Sequence, residues 1–173
     1  MDIGTRQSLL AICAYLLPAV LGAIALGRCA RGNATFALLS FPGTLAHELL
    51  HLIVAFITFA RPVSLSVWPR RAQDGSYLFG GVLMENVRWW NAAPASLAPM
   101  LGYGIAAGAA WMRLRHGFIF SPWDLLVWAA LAQLLLASWP SSVDWRLSVR
   151  SWPLLLAALA AVWYHYAHGL AGG

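Results

Sequence analysis

The sequence predicts an all-α polytopic membrane protein. It reads as one integral membrane domain over residues 1–173, with about five transmembrane helices and a small membrane-associated β-hairpin between the second and third. Three observations predict this. Hydrophobic residues make up 61% and charged residues 10%, too few charges to cover a soluble fold of this size. The apolar residues fall into long runs of bilayer-spanning length. One stretch between the runs instead alternates apolar and polar residues, the signature of a strand.

The first run covers 8–26 and ends at Gly27, Arg28 and Arg31. It is long for a signal-peptide core, so it reads as a retained helix. The second covers 36–59 and closes at Arg61-Pro62; Pro42 breaks or starts its regular part, because proline lacks an N–H and clashes with the preceding turn. The hairpin follows over 63–84. Val63 to Trp68 alternates, Asp74-Gly75 signals a turn, and Tyr77 to Met84 is β-prone with Gly80-Gly81 inside it. A hairpin alone in lipid leaves backbone groups unpaired, so it should pack on the helices.

The third run, 92–112, is rich in Gly and Ala, which predicts a central, closely packed helix. The fourth, 123–139, opens with Ser121-Pro122-Trp123-Asp124. Ser121 reads as N-cap, Pro122 as the first helical residue and Asp124 as a cap residue in preference to a ligand. The run closes at Pro140-Ser141-Ser142-Val143-Asp144. The fifth, 152–166, is the shortest, with Pro153 near its start.

All eleven Lys and Arg residues are Arg, and the net charge is +5. They stand singly or in pairs between apolar runs. That placement fits loops flanking a bilayer and argues against a nucleic-acid partner. Arg6, Arg61, Arg70, Arg71, Arg88, Arg146 and Arg150 fall on one side; Arg28, Arg31, Arg113 and Arg115 fall on the other. The richer side is read as cytoplasmic. Cys13 and Cys29 form neither a CxxC pair nor a Cys/His cluster and read as ordinary thiols.

Chemistry enters with His47-Glu48-Leu49-Leu50-His51. On a helix, residues four apart share a face, so two imidazoles there can hold one Zn²⁺ while the intervening Glu48 takes a proton from an activated water. Three ionisable groups in an apolar helix cost several kcal/mol each (roughly) unless paired or coordinated. A catalytic zinc takes three protein ligands. The candidates for the third are Asp144, Glu85, Asp74, His116, His165 and His168. Asp144 is preferred to Glu85, because the Pro-Ser-Ser break lets an irregular segment carry a carboxylate inward. The blander readings are a solvated Asp144 beside Arg146, a surface Glu85 near Arg88, a solvated His116, and interfacial His165 and His168.

Phe41-Pro42-Gly43-Thr44-Leu45-Ala46-His47-Glu48-Leu49-Leu50-His51 resembles the opening of the site-2 protease-like intramembrane zinc metallopeptidases. In that family a β segment, a small-residue helix and a further helix follow, and the last delivers an aspartate to the zinc. The resemblance covers roughly residues 36–146 and corresponds to a short member without a PDZ domain. It implies His47, His51 and Asp144 as ligands of one Zn²⁺, Glu48 as catalytic base and a membrane-associated protein or peptide as substrate. The chain is expected to be multi-pass in a bacterial inner (plasma) membrane, and the arginine count puts the hairpin and Asp144, and with them the site, toward the cytoplasm. The usual Asn-Pro and Leu-Asp-Gly pattern is replaced here by Pro140-Ser141-Ser142-Val143-Asp144-Trp145.

A helical substrate must unwind before attack, and the hairpin can pair with the freed segment as an added strand. Asn86 and Asn91 are candidates for peptide contacts, each also readable as a turn or cap residue. Two other functions compete: a non-catalytic membrane protein with a structural or degenerate metal site, such as a chaperone or complex subunit, and a metal transporter. Transport needs ligands on several helices and a polar path, which the runs do not offer.

Overall fold

The computed structural model describes residues 3–28, 38–68, 70–71, 77–78, 80–115 and 117–171. The protein is mostly helical with a small antiparallel hairpin. In chain order the elements are α1 (Ile3–Arg28), α2 (Phe41–Ile57), β1 (Pro62–Ser66), β2 (Arg70–Arg71), β3 (Tyr77–Leu78), β4 (Gly81–Met84), α3 (Ala92–Ser96), α4 (Leu101–Leu114), α5 (Trp123–Ala137), α6 (Ser142–Ser148) and α7 (Trp152–Ala171). Short 3₁₀ turns at Ala98–Met100 and Val149–Ser151 join α3 to α4 and α6 to α7.

Proline accounts for the largest departure from the expected boundaries. The run 92–112 is not one helix: Pro99 withholds the N–H that would continue the ladder, and the chain breaks into α3, a 3₁₀ turn and α4, while Pro94 sits in the first turn of α3 where its missing N–H is harmless. Pro42 sits in the first turn of α2, where its missing N–H is harmless. The last helix is longer than expected and reaches Ala171. Two stretches, Ser8–Arg28 and Ser142–His168, are long and apolar enough to cross a membrane; α2 and α5 are apolar but shorter.

α5 is the hub, with α1, α2 and α4 all packed against it. The small-residue helix α4 was the expected centre, yet only part of it packs tightly. Gly102 lies against Ser138 of α5, whereas Gly104 and Gly108 face open space. Tyr15, Ala19, Ala106, Ala110 and Leu131 form the apolar cluster between α1, α4 and α5. The buried hydrophobic residues are mostly alanines, while Leu38, Phe56, Ile57, Trp123, Leu125 and Leu126 point outward.

At the start of α5, Asp124 is buried, and its role exceeds capping. Its carboxylate accepts from the Ser121 N–H (2.8 Å), as a cap would, and also from Tyr15 Oη (2.9 Å) and from Arg113 Nε (2.8 Å) and Nη2 (2.9 Å). The bidentate guanidinium compensates the carboxylate where water is excluded, tying α1, α4 and α5 together.

α2 ends in a Schellman turn: Ala60 N–H donates to the Ala55 carbonyl (2.8 Å) and Phe59 N–H to the Phe56 carbonyl (3.2 Å). Phe59 occupies the left-handed position at φ 55. The chain then enters β1, which pairs with β4 in the register Ser64↔Leu83, Leu65↔Val82 and Ser66↔Gly81, with an irregularity between Pro62 and Ser64. β2 and β3 continue the pairing outward.

Candidate metal centre

Helical spacing places His47 and His51 on one face of α2, with their Nε2 atoms 3.1 Å apart. That face reaches α5 because Gly43, one turn earlier, has no side chain. A Cβ there would lie 2.8 Å from the Gln133 carbonyl oxygen and 3.2 Å from Ala137 Cβ. The close approach lets His47 Nδ1 reach the Ala137 carbonyl at 2.6 Å, and His51 Nδ1 reaches the Ala95 carbonyl at 2.7 Å. A carbonyl only accepts, so each Nδ1 carries the proton and each Nε2 presents a lone pair inward.

Asp144 comes from the first turn of α6, a regular helix where an irregular segment was expected. Ser141 is the N-cap and Asp144 the third helical residue of a capping box. Asp144 N–H donates to Ser141 Oγ (3.2 Å), and Ser141 N–H donates to Asp144 Oδ2 (2.7 Å). This box aims the carboxylate at both imidazoles. Oδ2 stands 3.5 Å from His47 Nε2, and Oδ1 stands 3.3 Å from His51 Nε2.

With both rings neutral, three acceptors converge with lone pairs facing one another, an arrangement that a cation between them would relieve. Tetrahedral coordination at about 2.05 Å would set neighbouring donors about 3.3 Å apart. The His47–His51 separation of 3.1 Å and the 3.3 Å from Asp144 Oδ1 to His51 Nε2 lie close to that value, and the second carboxylate oxygen stands 3.5 Å from His47 Nε2. The donor set and its spacing therefore fit one divalent ion. Among the described residues, His47, His51 and Asp144 form the group able to hold it.

Glu48 shares the same cavity, of about 460 Å³, without belonging to the ligand group. It is buried, and the hairpin lies over it. Gly80 meets the Glu48 carboxylate so closely that a Cβ would collide with Oε1, Cγ and Cδ, and its φ of +63 is one that L side chains rarely adopt. The rest of the lining is largely apolar, including Val82, Met84, Val143 and Leu147.

The other candidate residues lie elsewhere. Glu85 is exposed and lines a separate surface cavity with Arg61 and Phe59. His165 and His168 are exposed on α7, where His168 Nδ1 bonds the Tyr164 carbonyl at 2.9 Å. Asp74, His116 and Cys29 lie outside the described residues. Asn91 is fully buried: its Oδ1 accepts from the Arg88 N–H (2.7 Å) and its Nδ2 donates to the carbonyls of Thr58 and Asn86. Asn86 donates to the Phe59 carbonyl (2.8 Å). Both asparagines brace the junction of α2, the hairpin and α3. Comparison with protein-family models, with curated proteins and with solved structures finds no match.

Proposed function

We propose that this chain is a zinc-dependent intramembrane endopeptidase of the site-2 protease-like type, cleaving membrane-associated protein or peptide substrates. The observation that carries the reading is the convergence of His47, His51 and Asp144 in one cavity with a buried carboxylate, Glu48, that is not needed as a ligand. His47, His51 and Asp144 would hold one Zn²⁺. When bound, zinc supplies Lewis acidity, lowering the pKa of water toward neutrality and polarising a carbonyl. Glu48 accepts the proton of the attacking water and passes it to the leaving amine. Glu48 is itself buried beside largely apolar walls, which lowers the local dielectric around it.

β4 borders the cavity through Gly81, Val82 and Met84. An unwound substrate segment pairs beside it as an added strand, which presents its carbonyls to the site. The membrane part of the proposal draws support from the outward-facing large apolar side chains and the small buried ones, the packing pattern of helices in lipid. About five helices then cross or enter the bilayer. The arginine placement favours a site toward the cytoplasmic face, and the resemblance favours a bacterial inner membrane.

The test is cleavage of a membrane-anchored reporter by the purified protein in proteoliposomes. Wild type cleaves, and Glu48→Gln retains zinc but does not cleave. Zinc retained in both with no Glu48-dependent cleavage would overturn the protease reading in favour of a structural metal site.

A further inference from the structure

We propose that Pro99 and Pro140 are positioning residues of the metal centre: each deletes a backbone N–H that would otherwise compete for the carbonyl orienting one imidazole. The inference rests on the metal-centre reading above. In an α-helix the carbonyl of residue i accepts the N–H of residue i+4. For Ala95 that partner is residue 99, and Pro99 has no N–H. The Ala95 carbonyl instead accepts from His51 Nδ1 at 2.7 Å.

The Ala137 carbonyl shows the same device on a different element. Its α-helical partner is Ser141, whose N–H is taken by Asp144 Oδ2 at 2.7 Å. Its 3₁₀ partner is residue 140, and Pro140 has no N–H. The carbonyl accepts from His47 Nδ1 at 2.6 Å. Asp144 therefore acts twice, facing both Nε2 atoms and removing the last competitor for Ala137.

The consequence is tautomeric as well as orientational. An imidazole whose Nδ1–H is held by a carbonyl keeps its Nε2 lone pair for a metal. An imidazole whose carbonyl is recaptured by the helix ladder is free to rotate and to protonate Nε2, and it then offers the cavity no lone pair. Both prolines also break regular helix at the level of the site, so the α3 break and the end of α5 serve the two histidines.

The experiment measures zinc affinity of the purified full-length protein in detergent, by competition with a chromophoric chelator. Pro99→Ala and Pro140→Ala restore the N–H and should each weaken zinc binding by about 10- to 100-fold, the usual loss for an outer partner of a metal-bound histidine. A second replacement puts the α-hydroxy analogue of alanine at either position. It has the alanine side chain but an ester oxygen in place of the N–H, and it should bind zinc close to wild type. Pro153→Ala, at the start of α7, should also match wild type. Alanine variants that bind zinc as wild type does would overturn the inference. So would ester analogues as weak as the alanine variants, since ring geometry and not the missing N–H would then be responsible. A wild type that binds no zinc overturns the metal-centre reading itself, and this inference with it.

Discussion

Gly80→Ala probes the contact between hairpin and base. The change adds one methyl group, and its effect can be worked from the geometry. The Cβ would stand 2.7 Å from Glu48 Cγ and 2.8 Å from Cδ, whereas ordinary contact begins near 3.4 Å. Either the carboxylate, whose Oε1 is the nearest atom, retreats by at least about 0.7 Å or the hairpin lifts by a similar amount, because atoms do not interpenetrate. The left-handed backbone at φ +63 adds about 1–2 kcal/mol of strain for any L side chain. Stability should fall by about 1–3 kcal/mol. The displacement should matter more: a catalytic group misplaced by about 1 Å costs on the order of a hundredfold in rate. Cleavage of the membrane-anchored reporter should therefore fall about 10- to 100-fold. Zinc content should stay at the wild-type level, because Glu48 is outside the ligand group. Gly108→Ala, whose Cβ would meet open space, should cleave like wild type. A Gly80→Ala protein with wild-type rate would refute the claim that the hairpin fixes the base.

Other outcomes follow from the same contacts. Asp144→Asn keeps an acceptor for the Ser141 N–H but removes the charge. Two unit charges 4 Å apart at an effective dielectric of 20 interact by about 4 kcal/mol, and a carboxylate on a divalent ion by more, so zinc affinity measured by chelator competition should fall by about a thousandfold or more. Tyr15→Phe deletes one hydrogen bond to Asp124 and should lower stability in denaturant by about 1 kcal/mol, while Asp124→Leu, which strands Arg113, should lower it more. Phe59→Gly relieves the left-handed position in the Schellman turn and should raise stability by up to about 1 kcal/mol, read as the shift in denaturant midpoint.

The parts of the site legible in the sequence are the local ones. His47 and His51 need only helical spacing to meet, and α2 supplies it. Asp144 was legible through its proline-serine break, although the capping box that aims it is a regular helix start. The partners of these residues were not legible. Ala95 and Ala137 contribute backbone carbonyls, which carry no residue signature, and the only trace of them is a proline three or four positions later. The contact of Gly80 with Glu48 depends on how the hairpin folds back. The Asp124 network joins residues 109 positions apart, and only its cap bond to Ser121 is local. The small-residue pattern over 92–112 favours one long helix, but Pro99 interrupts it with a 3₁₀ turn. Its expected centrality holds only in part: α4 touches α1, α5 and, more sparsely, α2, but its Gly104 and Gly108 face open space.

The most direct measurement is zinc K-edge X-ray absorption on the purified protein, with metal quantified per chain. About one zinc per chain is expected, with two imidazole nitrogens and carboxylate oxygen at about 2.0–2.1 Å. An unchanged spectrum is expected for Glu48→Gln, and loss of the metal in the double replacement of His47 and His51 by alanine. A protein that carries no metal after zinc reconstitution, or one that keeps its zinc without both histidines, would contradict the metal centre.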